Sequence, residues 1–468
     1  MANETLQSTS LNVVVEKGKN RVVFAEPNRD FVDVLFSFVT MPIGTIIRLT
    51  REQLLEGEMG CLNNLYASVE NLDEEHVQSM KCKDMVLRPL SAAEIYCRNL
   101  KLNLVDGNTN EYYACSAVVC DFVSPYQTAH CRCGRPLDRE VKLLNPISIP
   151  QDGGVFVKPN ARFMISDDFQ VMPMSTVTAL TLLSKLGAVD PSTMEERTFN
   201  IGRNEVLKLL KCSLTSRTPF SDTIMEPPIS KTNFTIRHGK YGPRSTDKSQ
   251  RVMDTAKKDA NIKLKLIVNK SENRALYAEV EEDFVNLISF FLTLPLGYLF
   301  KEFPCLPFKG CLNNLYQSIQ NFDTQKFLKS EEMKAILVNP KLTPGLAYNN
   351  QLIPIEDALY PSYSTLNSLF SVKYSILSLM PNDREAKTGD GFMKGPSMFM
   401  VTNNLFVTPL SIISGISLIN SLGIPFSAIG EQEVTMGEDE AMRLLAAALV
   451  SDSALTDAFI LKEPKEEA

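Results

Sequence analysis

The chain has 468 residues, of which 44% are hydrophobic and 22% charged, and its net charge at neutral pH is −7. That length can hold two or three domains with real hydrophobic cores, and the negative balance excludes a global positive field that would attract nucleic acid or anionic membrane. Trp is absent and the only histidines are His76, His130 and His238, which excludes a multi-histidine metal centre.

The first residues, MANETLQSTSLNVVVEKG, lack the basic region, apolar core and small-residue cleavage site of a secretory signal, and Glu4 argues against a transit peptide. The ten cysteines are therefore expected as buried thiols, metal ligands or reactive groups, not as a disulfide framework. LNVVVEKGKNRVVFAE places a polar turn between β-branched runs and predicts a hairpin. A helix should follow from Asp30, whose carboxylate can accept the free N–H groups of a first turn. That helix is apolar nearly all round, so it belongs inside, and Pro42 should end or kink it. The uncharged runs Val34–Ile47 and Asn286–Phe300 fall short of the roughly 18 residues of a membrane span. GCLNNLY, from Gly60, begins another helix with Leu62, Leu65, Tyr66, Val69 and Leu72 on one face. Asn64, Ser68 and Asn71 run opposite, and such amides and hydroxyls are expected to bond backbone or water before any ligand.

The stretch YYACSAVVCDFVSPYQTAHCRCGRP brings four cysteines together, Cys115 and Cys120 followed by Cys131 and Cys133. Two close pairs joined by a loop are the usual ligand set of a structural zinc site, which needs four soft donors in a tetrahedron. Residues i and i+2 of an extended strand point to one side, which would bring Cys131 and Cys133 together, and Gly134 lets the backbone turn back. The competing reading is four unrelated thiols on a strand and loop. His130 could replace a thiol but fits a loop position better. With four protein ligands the site would be closed and would have no room for an activated water.

Further along, Phe163–Met172 reads as a short hairpin with Asp167–Asp168 in its turn. A helix over Thr176–Leu186 is ended by Gly187; a strand and a final amphipathic helix around Val206–Leu214 follow. Glu226–Asn261, with three prolines and many basic side chains, has a linker's composition.

The same blocks then return in the same order. NRALYAEVEEDFVNLISFFLTLPLG (Asn273–Gly297) aligns without gaps on Asn20–Gly44, and GCLNNLYQSIQNFD (Gly310–Asp323) on Gly60–Asp73. Phe399–Ser411 then aligns on Phe163–Ser175, and Thr435–Leu445 on Asn200–Leu210. This predicts a tandem duplication of a unit of roughly 200 residues, large enough to be a domain. The second copy has Asp283, Pro295, Asn314, Ser318, Asn321 and Gly423 at the corresponding places, but its counterpart of the cysteine stretch, Pro340–Lys394, contains no cysteine. A site present in one copy only is a local staple, not the reason for the fold. Cys61 and Cys311 recur in the heptamer and are expected as buried thiols.

No phosphate-binding G-x-x-x-x-G-K-[ST], nucleophile elbow G-x-S-x-G, H-E-x-x-H or dinucleotide G-x-G-x-x-G occurs. Together DFVDVLFSF at Asp30, MPIG at Met41, GCLNNLY at Gly60 and CRCG at Cys131 closely resemble a plant protein family known as domain of unknown function 674, over nearly the whole chain. The resemblance implies a plant source and a soluble cytoplasmic or nuclear protein, and brings no activity or catalytic residue.

The reading is α+β, as two tandem homologous domains at 11–225 and 262–461, a flexible basic linker at 226–261 and a charged tail at 462–468. The expected function is a non-enzymatic binding or scaffold protein, with structural zinc on Cys115, Cys120, Cys131 and Cys133 and with protein partners. The alternatives are a nucleic-acid-associated protein using the cysteine cluster and the linker, and an enzyme with an unfamiliar site.

Overall fold

The computed structural model describes residues 8–51, 59–98, 100–104, 111–115, 122–127, 129–131, 133–142, 154–187, 191–225, 261–349, 351–358 and 391–461. The linker up to residue 260, the tail and Cys120 lie outside the described residues.

The fold is α+β with antiparallel sheets. The first hairpin is β1 (Thr9–Glu16) and β2 (Arg21–Glu26). Asn20 takes the left-handed conformation in its turn, at φ 46°, which an Asn side chain tolerates better than most. A small sheet is built from β3 (Glu111–Ala114), β4 (Val123–Ser124) and β5 (Arg139–Lys142). Next come β6 (Phe163–Ser166), β7 (Val171–Pro173) and β8 (Met194–Ile201), which join the first hairpin in the order β7-β6-β2-β1-β8. In the second half β9 (Ile262–Asn269), β10 (Arg274–Glu281), β11 (Met398–Thr402), β12 (Val407–Pro409) and β13 (Ile429–Met436) form a second sheet. Its order, β12-β11-β10-β9-β13, repeats the first position for position, including a left-handed Asn273 in the hairpin turn.

Each sheet carries a helix that is buried almost throughout, Arg29–Ser37 and Glu282–Phe291. The first is capped by Asn28, whose Oδ1 accepts the Phe31 N–H at 3.0 Å. Asp30, expected as the cap, stands inside the first turn, where its charge still favours the positive helix end. Pro42 and Pro295 stand just before the next helices, Ile43–Thr50 and Leu296–Glu302. Proline suits that position because its missing N–H would be unpaired there anyway.

The two proline turns meet each other. Ile43 N–H donates to Leu294 O at 3.0 Å and Leu296 N–H to Met41 O at 2.9 Å, around an antiparallel bridge between Pro42 and Pro295. From there each half sends its middle segment across to the other. The heptamer helices, Leu62–Asn71 and Leu312–Asn321, begin against the helices that follow β13 and β8 in the opposite halves, Glu438–Val450 and Arg203–Thr215. Cys61 N–H donates to Ala448 O and Cys311 N–H to Ser213 O, both at 2.9 Å. A Cβ on Gly60 would collide with Ala448 O, and one on Gly310 with Ser213 O. Only glycine permits that approach.

The exchange continues along the chain. Lys158 N–H donates to Phe327 O and Lys329 N–H to Phe156 O, both at 2.9 Å. The matching pair, Gln78 to Phe392 O and Lys394 to His76 O, spans 2.9 and 3.0 Å. Phe163 of the first sheet packs on Phe322 and Phe327 of the second half, with ring centroids 5.5 and 5.7 Å apart. One contiguous cluster of buried apolar residues therefore draws on both halves. Beneath it, Asp33 accepts N–H bonds from Val155, Phe156 and Val157. Its counterpart Asn286 accepts from Phe392 and Met393, each at 2.8 Å.

Candidate metal centre

The small sheet carries the cysteines. Strand β3 pairs with β4 and β5 on its two sides, and Cys115 follows it directly, fully buried. The chain reaches the second pair after Ser124, whose hydroxyl donates to Pro344 O of the second half at 2.7 Å. Tyr126 turns back and its hydroxyl accepts the Leu90 N–H at 2.8 Å. Next, Ala129 and Leu137 bond through the Leu137 N–H, and His130 bridges Pro136. This narrow loop has Cys131 and Cys133 at its tip.

Cys131 N–H donates to Arg135 O at 2.7 Å and Gly134 N–H to Cys131 O at 2.8 Å. Gly134 is left-handed, at φ 81°, as a turn of this kind requires. The two thiols thus converge through a tight turn, not through the same face of an extended strand. A strand would separate them by two residues' rise, whereas the turn folds both side chains toward Cys115.

The Sγ atoms of Cys115, Cys131 and Cys133 all lie within 4.8 Å of one another, with Cys115 and Cys133 at 3.5 Å. Metal–sulfur bonds of about 2.3 Å in a tetrahedron put neighbouring sulfurs about 3.8 Å apart, so the spacing suits an ion of that size. Cys115 and Cys131 are buried and Cys133 is exposed. Three thiols favour a soft or borderline metal over Mg²⁺ or Ca²⁺. These residues can hold a metal ion. His130 is not brought into the group, and its buried Nδ1 has no hydrogen-bond partner among the described residues.

The other residues singled out in the sequence serve packing. The Cys61 thiol donates to Ser451 O at 3.1 Å, and burial pushes its pKa up to about 12. Burial raises Cys311 as well. Neither is a nucleophile at neutral pH. The polar stripe of the heptamer helix bonds backbone, but backbone of the opposite half. Asn64 Nδ2 donates to Asn404 O at 2.9 Å and Asn314 Nδ2 to Asp168 O at 2.8 Å. Ser68 and Ser318 each accept a hairpin N–H at 3.0 Å, from Val407 and Val171. Asn71 and Asn321, further along these helices, are exposed. Asp167 sits in its predicted turn and accepts from Ser221 N–H and Oγ, at 3.0 and 2.7 Å. Asn403 accepts the same pair of bonds from Thr456.

No helix among the described residues is long and apolar enough to cross a membrane. Comparison with curated proteins and with solved structures returns no match. A family model described as a protein of unknown function (DUF674) matches residues 6–439, so the chain belongs to the DUF674 family.

Proposed function

We propose that this chain is a tandemly duplicated, non-enzymatic binding or scaffold protein whose first half is stapled by a structural zinc ion on Cys115, Cys120, Cys131 and Cys133. The observation that carries the reading is the convergence of three thiols within 4.8 Å of one another. Cys120, which lies outside the described residues, is proposed as the fourth ligand from its position in the sequence, shortly before β4. A set of four cysteine ligands is closed, so the ion holds structure and activates no water.

The position of the loop gives the staple its purpose. Gly345 of the second half is left-handed, at φ 99°, and lies so close that a Cβ on it would be 2.6 Å from Ser124 Oγ and 2.7 Å from the Ala129 side chain. A metal that orders this loop therefore also firms its seat against the other half. The rest of the scaffold supports the same role, because its polar stripes are occupied in holding the two halves together. Bound zinc needs reduced thiols, which suits the cytoplasm or nucleus of a plant cell, and the partners are proteins.

Elemental analysis of the purified, reduced chain tests the reading. About one zinc per chain is expected, lost from the Cys131→Ser/Cys133→Ser variant, together with a lowered thermal midpoint on chelation. A folded, reduced sample with no zinc contradicts it.

A further inference from the structure

The first sheet has a cleft on its outer face that the metal centre does not touch. A cavity of about 560 Å³ opens between β2, β6, β7 and the helix Thr176–Lys185, within the ~300–1,000 Å³ usual for small-molecule sites. Val23, Met172, Leu182 and Leu186 give it an apolar floor. Arg21, Lys185 and Arg217 stand along its rim.

The two acids in the lining are already engaged by the protein. Asp167 is bonded to Ser221 and to Arg21 Nε, the latter at 3.3 Å. Asp168 accepts from Ser166, Gln170 and Asn314. The cations are less occupied. Lys185 makes no hydrogen bond or ion pair among the described residues, and Arg217 donates to Phe308 O at 3.3 Å. With Arg21 paired to Asp167, the cleft offers two cations, Lys185 and Arg217, against the one carboxylate of Asp168, with apolar surface below.

The second half shows what the same framework looks like without this rim. Counting from the aligned helices, Ser421 stands for Lys185, Asp452 for Arg217 and Phe406 for Gln170. Its outer helix, Ile412–Ser421, buries Gly415 and Ile419, whereas no residue of Thr176–Lys185 is fully buried. The first-half helix packs Ala179, Leu182, Leu183 and Leu186 on its sheet only partly buried.

We infer that this cleft binds an amphipathic organic anion, a carboxylate on a short apolar body. The carboxylate meets Lys185 and Arg217, and the body lies on Val23, Met172, Leu182 and Leu186. An exposed rim makes the attraction sensitive to salt.

Calorimetric titration of the intact chain with octanoate, and with 1-octanol as the uncharged match, tests this. Saturable one-to-one binding of octanoate is expected, weakened by rising ionic strength and at least about tenfold weaker for octanol. Lys185→Ser/Arg217→Asp, which installs the second half's own residues at exposed positions, should weaken octanoate at least about tenfold. Leu182→Trp, which fills the floor, should block it. Ile413→Gln/Ile416→Gln, on the exposed apolar face of the second half's helix, should leave it unchanged. Absence of saturable binding overturns the inference. So does equal binding of octanol, indifference to both first-half variants, or loss in the Ile413/Ile416 variant.

Discussion

Set side by side, the two halves agree most closely where they touch each other. Gly60 and Gly310, Asn64 and Asn314, and Ser68 and Ser318 are identical pairs, and each makes the same contact with the opposite half. Within each half the chemistry differs while the geometry persists. Asp33 stands where the other has Asn286, Asp167 where it has Asn403, and Ser221 where it has Thr456. An acceptor inside one half can change from carboxylate to amide if the N–H groups it serves stay paired. A contact across the halves must fit a backbone that belongs to the other one. The cysteines of the thiol loop, and Lys185 and Arg217 of the cleft, have no like residue at the aligned positions of the second half.

The largest effect on that agreement is expected at the glycines. Gly60→Ala puts a Cβ into the Ala448 carbonyl and strains a left-handed residue, at φ 57°. Gly310→Ala meets Ser213 O without that backbone penalty. Each should cost about 3 kcal/mol or more by denaturant unfolding, in the range reserved for backbone clash and strain. A cost below about 1 kcal/mol at both sites would show that the halves do not close as tightly as described.

Asp33 sharpens the comparison through pH. Burial pushes its pKa up to about 6, against the pull of the three N–H bonds and of Lys329. Its folded value lies above its ordinary one, so the unfolded chain releases this proton first as pH rises. The contribution is full below about pH 4 and declines through about pH 6, by up to roughly 3 kcal/mol. Asp33→Asn, which copies Asn286, should therefore gain stability relative to the parent between about pH 4 and pH 7. Parallel stability curves for the two proteins would remove the carboxylate from the account.

The smallest effect is expected at the serines. Ser68→Ala and Ser318→Ala each leave a hairpin N–H, of Val407 or Val171, without its acceptor. A buried unpaired donor costs about 1–3 kcal/mol, and Ser318→Ala should cost the same or somewhat less than Ser68→Ala, because the Ser318 bond is only partly buried. A larger loss for Ser318→Ala than for Ser68→Ala in thermal or denaturant midpoints would mean that the two crossings are not equivalent.

Much of this was legible in the sequence, for identifiable reasons. The hairpins around Lys17–Asn20 and Asn273, the helix ends at Gly187 and Gly423 and the position of both prolines follow from local backbone preferences. The convergence of Cys115, Cys131 and Cys133 followed from their spacing, although a turn and not a strand brings the last two together. Asn28, and not Asp30, caps the first helix, and residue type does not separate them because both are good acceptors at an N-terminus. The crossing of the halves could not be read from periodicity. A buried face records that it is covered, not which half covers it, and Asn64 bonds a backbone distant in sequence. The cleft was hidden for the same reason, since Lys185 and Arg217 meet only through the fold.

The central claim is that each half completes the other. Residues 1–225 and 261–468, produced separately and then mixed, test it most directly. Neither should give a folded monomer with a cooperative unfolding transition, and the mixture should yield a one-to-one complex that unfolds as one unit. A folded, cooperative monomer of either half would contradict the claim.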